Sequence, residues 1–365
     1  MMKMRAAVAL GMGQPFELQE VDLDDLRPHE ILVRIVGTGL CHTDLFFKSL
    51  IPMPAVFGHE GAGIVEKIGD RVSAVAPGDR VVISYNSCGT CKNCQKGAPY
   101  YCANFTELNY SGMRADATMP FRKDGISYYS SFFGQSSLAD YSLTTERNVV
   151  KVPSDVPLEI LGPLGCGIQT GAGTVINGLK ARVGDSIAIF GTGTVGLAAV
   201  MAAKVVGCTC IIGIDVKPNR LELAKELGAT HVINASEEEV LGEIKRITAS
   251  GIDLAIETTG LPAVVRQAVD ALDLMGRCAI LGASPMGTEM SFTMNEFLGA
   301  GKGVIGVIEG EAVPQIFIPQ LIELYKQGRF PFDKLITFYD AKDINQAVED
   351  AEHGVAVKPV IRFDR

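Results

Sequence analysis

Four cysteines, Cys88, Cys91, Cys94 and Cys102, fall within fifteen residues at spacings x2, x2 and x7, in a polar stretch containing glycine. Four thiolates this close can complete a tetrahedral zinc shell with no open position, which makes a structural site, not a reactive one. Backbone N–H groups in the intervening turns would stabilise the thiolate charge. An iron–sulfur cluster is the competing metal, because ferredoxins also carry three cysteines at x2 spacing. Here the fourth follows at x7 with no proline after it, which favours zinc. Without a metal the four would be unligated surface thiols.

Three more potential ligands stand among glycines: Cys41 in Gly-Leu-Cys41-His42-Thr43-Asp44, His59 in Phe-Gly-His59-Glu60-Gly61, and Cys166 in Leu-Gly-Cys166-Gly. Taken singly, a cysteine among apolar residues reads as a buried inert thiol, and a histidine beside glutamate as a satisfied structural pair. Cys208, Cys210 and Cys278 lie on apolar, strand-like runs and keep the inert reading.

A second chemistry is written in Gly191-Thr-Gly193-Thr194-Val195-Gly196, which directly follows the apolar run Ser186–Phe190. Gly191 permits a tight turn, Gly193 lets the backbone approach a pyrophosphate, and Gly196 allows close helix–strand packing. The following helix presents N–H groups and the positive end of its dipole to phosphates. Asp215 comes 19 residues after Gly196, at the end of the next apolar run. A carboxylate there accepts from the ribose hydroxyls and repels a 2′-phosphate, so NAD is expected over NADP. Arg220 would flank the adenosine ribose.

These motifs need elements to hold them. A chain of 365 residues exceeds one typical core, so two domains are expected. Up to about residue 150 the sequence is a series of short Val/Ile-rich runs, such as Glu30–Val36, Gly63–Ile68 and Arg80–Ser84, separated by Gly, Pro and Asp: a β-rich, barrel-like unit. From about Gly184, strands and helices alternate. A strand is expected at Thr209–Ile214, a helix from Pro218 to Gly228, and a strand at Val232–Asn234. A helix near 237–248, a strand at 253–257, a helix near 262–274 and strands at 277–281 and 303–308 complete the pattern. Such alternation implies a doubly wound parallel sheet. Two amphipathic helices and a closing strand, Lys358–Phe363, are expected to return to the first unit.

Composition narrows the rest. The net charge of −9 argues against a nucleic-acid or anionic-membrane surface. The apolar stretch Ile187–Ile214 is broken by glycines, threonines and Cys208-Thr209-Cys210, so it reads as strand, turn, helix and strand and not as a membrane span. The opening residues carry too short an apolar run for a secretory signal. Nine cysteines with no such signal fit a reducing cytoplasm.

Together, Gly58-His59-Glu60-x-x-Gly63 with Gly69 and Val72, the cysteine lobe, the Cys-His-Thr-Asp run, the Gly-Cys-Gly near 166 and the cofactor fingerprint resemble the zinc-containing medium-chain alcohol dehydrogenases, in that family's order across essentially the whole chain. The long segment 107–141 looks nearest to the aryl-alcohol branch. The resemblance implies a β-rich GroES-like catalytic domain (1–167, with the lobe at 88–102), an NAD-binding Rossmann domain (168–310) and a C-terminal return (311–365). It further implies two zincs per chain, NAD, a small alcohol or aldehyde substrate and a homodimer or homotetramer. Cys41, His59 and Cys166 would ligate the catalytic zinc, which acts as a Lewis acid on the alcohol. Thr43 would hydrogen-bond the substrate oxygen, Glu60 would tune the metal, and Asp44 would orient His59. His42 would lie at the pyrophosphate, Thr170 and Val195 near the nicotinamide, and Lys358 on the phosphate side. Liver-type members end their proton relay with a histidine at the position that is Phe46 here. The implied reaction is NAD-linked oxidation of a primary alcohol, aromatic alcohols favoured. Glutathione-dependent formaldehyde oxidation, or a non-catalytic NAD-binding protein, are the alternatives.

Overall fold

The computed structural model describes residues 1–363. The chain divides into two compact units: residues 1–166 with 313–323 and 333–363, and residues 167–312 with 324–332. The return segment is more finely divided than expected, because 324–332 belongs to the second unit.

The first unit is built from short strands, several of which (Glu30–Gly39, Arg80–Ile83, Tyr141–Thr145, Lys358–Arg362) are buried over most of their length. A five-stranded sheet runs in the order Ala55–Val56, Met2–Ala9, Phe16–Leu23, Phe121–Lys123, Ile126–Tyr128. A seven-stranded sheet runs Val149–Lys151, Arg80–Ile83, Gly61–Ile68, Glu30–Gly39, Lys358–Arg362, Ile336–Asp340, with Tyr141–Thr145 also paired to Glu30–Gly39. The pairings are antiparallel, apart from the parallel pair of the last two strands in the chain. One side of the seven-stranded sheet packs Ile31, Val33, Ile35, Val65, Val81 and Ile83 into a core. The strand Ile336–Asp340 went unanticipated; its mixed burial gives it no clear period of two.

The second unit carries six parallel strands in the order His231–Asn234, Cys210–Asp215, Ser186–Phe190, Ile252–Glu257, Leu272–Ile280, Gly303–Gly306. The central strand is buried along almost its whole length (Ile187, Ala188, Ile189 and Phe190), as a parallel strand covered on both faces must be. Pro218 opens the helix Pro218–Leu227, whose end is capped by Gly228. The helix at Pro262 stops at Asp270, earlier than expected, and the strand begins at Leu272. Leu272 pairs with Ile252 and Arg277 with Leu254, so residues 273–276 bulge out of the ladder, with Met275 at φ +63. A bulge hides the period of two on which strand recognition rests.

Candidate metal centres and cofactor site

Cys41 is the N-cap of the short helix His42–Phe47 and keeps an extended backbone there. Its own N–H donates to Asp44 Oδ2 at 2.9 Å, a capping contact that ties the thiol to the first helical turn. Gly58 precedes His59 at φ +97, and a Cβ at that position would run into the backbone of Ser137 and Leu138. The Gly58 N–H donates to Asp44 Oδ1 at 2.9 Å, and the same oxygen lies 2.9 Å from His59 Nδ1. Cys166 follows the turn Gly162–Gly165. The result is that donor atoms of Cys41, His59, Glu60 and Cys166 all lie within 4.8 Å of one another.

His59 and Asp44 are both fully buried. A carboxylate only accepts, so Nδ1 carries the proton and points Nε2 at the thiols. Nε2 is buried and has no hydrogen-bond partner. An orphaned buried acceptor is costly, about 1–3 kcal/mol. Facing two thiols, this lone pair fits a zinc ion, and the donor set of sulfur and nitrogen is the kind zinc prefers. Electrostatics agree. The Cys41 thiol is drawn well below its usual range, first by its hydrogen bond to Cys166 against the desolvation penalty, then by the charges of Lys358 and His59. Burial opposes charge on His59, but Asp44 outweighs it and holds the imidazole well above its ordinary range, so Nε2 is a strong base whose lone pair takes a proton or a metal ion. Thr43 Oγ1 sits 3.6 Å from Cys41 Sγ, and His42 is exposed on the first turn of the same helix.

Lys358 is not where the resemblance put it. It is buried, with Nζ 2.9 Å from each Glu60 oxygen and 3.3 Å from the Leu40 carbonyl. Burial works against both charges, and contact with the carboxylate holds the ammonium above its ordinary range. An ammonium enclosed by these acceptors has no reach left for a phosphate, so its place is beside the metal ligands.

Three residues here carried no sequence signal. Phe133 stacks its ring on His59 (centroids 4.6 Å apart, 26° between planes), and Phe132 meets the imidazole edge-on at 5.5 Å. Phe133 holds this position from a left-handed backbone, φ +52. Gln135 donates to the His59 carbonyl at 3.0 Å and accepts from the Gly61 N–H at 3.1 Å, fixing the backbone on both sides of Glu60. Non-periodic stretches such as Ser-Ser-Phe-Phe-Gly-Gln give no cue to such tertiary roles. The aromatic group continues through Tyr110, 5.4 Å from Phe133, and Phe47, 4.5 Å from Tyr110.

The lobe cysteines converge as well: the sulfurs of Cys88, Cys91, Cys94 and Cys102 lie within 4.8 Å of one another. Backbone N–H groups of Cys88, Cys91 and Ala103 donate to Cys102, Cys88 and Cys91 sulfurs at 3.3–3.4 Å. The Thr90 backbone N–H, foremost among several donors, lowers Cys88 to about 6, whereas desolvation pushes Cys94 up to about 12. Four such sulfurs fit a closed zinc shell.

In the second unit, Gly191 turns the chain at φ +91. Gly193 caps the helix Thr194–Val206, and a Cβ there would meet nothing within 4 Å: the backbone borders open space, the cradle a pyrophosphate needs. At Gly196 a Cβ would strike the Gly191 carbonyl. This arrangement fits NAD. Asp215 ends its strand, and Arg220 Nη1 lies 3.9 Å from its Oδ2. Thr170 lies on the helix Gly167–Gly173, which packs on the fingerprint helix so closely that a Cβ on Gly171 would strike the Val195 carbonyl.

Replacing Asp44 by Asn is expected to weaken zinc binding at Cys41, His59 and Cys166 about 10- to 100-fold, as loss of a ligand-orienting carboxylate typically does. Dialysis against a graded chelator series, with zinc counted per chain, should show one zinc leaving early and the lobe zinc retained. Equal retention of both by the variant would show that Asp44 does not orient a ligand.

Residues 27–154 match the family model described as alcohol dehydrogenase GroES-like domain, and residues 194–327 match zinc-binding dehydrogenase. A geraniol dehydrogenase from Castellaniella defragrans is 41% identical over 363 residues, covering 98% of this chain and 97% of the relative. Among solved structures, an alcohol dehydrogenase zinc-binding domain protein from Burkholderia ambifaria is 49% identical with a TM-score of 0.98. A benzyl alcohol dehydrogenase from Acinetobacter calcoaceticus is 46% identical with a TM-score of 0.96; in both cases the whole of each chain is covered. Full-length relatives, two family models and two metal constellations lead to one statement: the chain belongs to the zinc-containing medium-chain alcohol dehydrogenases, NAD-linked enzymes that move a hydride between an alcohol and the cofactor.

Proposed function

We propose that this dehydrogenase oxidises primary alcohols bearing an aromatic or similarly bulky apolar group to their aldehydes, benzylic alcohols favoured. The observation that carries the reading is the aromatic assembly on His59: Phe133, Phe132, Tyr110 and Phe47 in successive ring contacts. Such rings reward a flat apolar substrate through burial and through offset or edge-on packing, worth about 0.5–1.5 kcal/mol per pair beyond area. The geraniol and benzyl alcohol dehydrogenases among the relatives support the same class.

In this reading Cys41, His59 and Cys166 hold the catalytic zinc, and Cys88, Cys91, Cys94 and Cys102 the structural one. When bound, the catalytic metal supplies Lewis acidity toward the alcohol oxygen. Asp44 keeps the His59 lone pair aimed at that site. Glu60, neutralised by Lys358, tunes the field around it. Thr43 Oγ1 accepts the hydrogen bond of the substrate hydroxyl and gives up its own proton as the substrate's arrives. With Phe46 in the relay histidine's place, the proton leaves to water or to the cofactor ribose. Gly191, Gly193, Thr194, Val195 and Gly196 receive the pyrophosphate of NAD, with His42 against it, Thr170 and Val195 border the nicotinamide, and Asp215 with Arg220 takes the adenosine ribose.

The glutathione adduct of formaldehyde needs a free cation for its carboxylates. Lys48, the cation within residues 46–56, is committed elsewhere: its Nζ donates to the Gln14 carbonyl at 2.6 Å and lies over the Phe16 ring at 4.4 Å. The strand Gly303–Gly306 ends its sheet, and Met275, Met294 and Leu298 are left largely exposed nearby in the fold, which supports assembly of identical chains. Nine free cysteines, six of them in the two clusters, support a reducing cytoplasmic setting. No helix among the described residues is long and apolar enough to cross a membrane.

Steady-state NADH formation should show kcat/KM for benzyl alcohol at least tenfold above that for ethanol and above that for S-hydroxymethylglutathione. A preference for the glutathione adduct would move the substrate class while leaving the chemistry. Sedimentation of the purified protein should return a multiple of the chain mass, and a monomer would remove the assembly reading.

A further inference from the structure

The carboxylate assigned to the ribose is already fully engaged in the protein alone. Asp215 Oδ2 accepts from the Thr192 backbone N–H at 2.7 Å and from Thr192 Oγ1 at 3.0 Å. Its Oδ1 accepts from the N–H groups of Val216 at 2.8 Å and Lys217 at 3.0 Å. A carboxylate offers about four lone-pair positions, two on each oxygen. All are occupied, so a ribose hydroxyl has no vacant acceptor to meet. Three of the donors are backbone groups, fixed by the fingerprint turn and the strand end. The fourth, the Thr192 hydroxyl, sits on a rotatable bond. Beside it lies the opposite imbalance: Arg220 Nε is buried and has no hydrogen-bond partner, with Nη1 3.9 Å from Asp215 Oδ2.

We propose that Thr192 is a cofactor-selectivity residue, whose hydroxyl holds the position on Asp215 that an adenosine ribose hydroxyl takes on binding. The inference rests on the reading of Asp215 as the ribose acceptor. A diol can make the exchange because it brings a proton of its own: it donates to Asp215 in place of Thr192 and accepts from the Arg220 guanidinium. A 2′-phosphate brings no such proton. It displaces the Thr192 hydroxyl without replacing its hydrogen bond, and it also meets the charge of the carboxylate. Thr192 thus adds to the preference for NAD, beyond charge repulsion alone. Its side chain is fully buried, packed toward Gly213, so the hydroxyl has little else to serve.

The test compares two ligands in each variant, so that changes in packing cancel. NADH and an analogue with no hydroxyls on its adenosine ribose are titrated by fluorescence into the whole enzyme, and the ratio of their affinities is read. In Thr192→Val, where no bond has to be given up, the ratio should rise about threefold to tenfold, the size of one net hydrogen bond. Thr192→Ser should keep the original ratio. An unchanged or lower ratio in Thr192→Val overturns the proposal. Asp215→Asn checks the reading beneath it: the ratio should fall toward one, and a ratio left as in the parent enzyme would remove Asp215 as the ribose acceptor.

Discussion

The hydrogen bond between Asp44 and His59 is the contact on which the metal half of the molecule depends. It lies in a region that excludes water, and a buried carboxylate there needs donors on every side. Asp44 finds them in the backbone of Cys41, the backbone of Gly58 and the ring of His59. These three contacts join a helix N-terminus to the loop that leads into the strand Gly61–Ile68. They also set which ring nitrogen is left over. The remaining lone pair of Nε2, buried beside two thiols, is then unsatisfied by protein and suited to a metal. Around that core, Lys358 offsets Glu60 and the aromatic rings keep water out. Breaking one member of such a buried set leaves a charge without a partner, a loss of about 3–5 kcal/mol.

The cofactor half rests on close approach instead of charge. Its fingerprint works because different glycines solve different steric problems. Gly196 has a carbonyl against it, whereas Gly193 has empty space before it. One absence of a side chain lets the protein pack on itself, and the other lets a ligand in. Asp215 then adds a polar ending to an otherwise apolar strand, held by backbone donors on either side.

Much of this was legible in the residue string. Cysteine spacing announced the lobe, because a closed ligand shell needs its donors near in sequence or brought together by tight turns. The fingerprint was legible because turn, helix start and phosphate contact are all local. The catalytic ligands were legible only through family resemblance: Cys41, His59 and Cys166 meet by tertiary folding, and nothing in their spacing says so. Phe133 and Gln135 stayed hidden for the same reason, as their partners lie more than seventy residues away in the chain. Lys358 was misplaced because an alignment to the tail carries no information on burial. Its side chain points into the protein, where Glu60 needs a cation. The bulge at 273–276 misled the reading of a strand in the same way, by breaking a local period for a non-local pairing.

The most direct test of the account is anomalous diffraction at the zinc absorption edge from crystals of the protein as purified. Two peaks are predicted: one bonded to Cys41 Sγ, His59 Nε2 and Cys166 Sγ, the other enclosed by the sulfurs of Cys88, Cys91, Cys94 and Cys102. A fully occupied lobe with no peak at His59, and Nε2 hydrogen-bonded to a protein group instead, would contradict it.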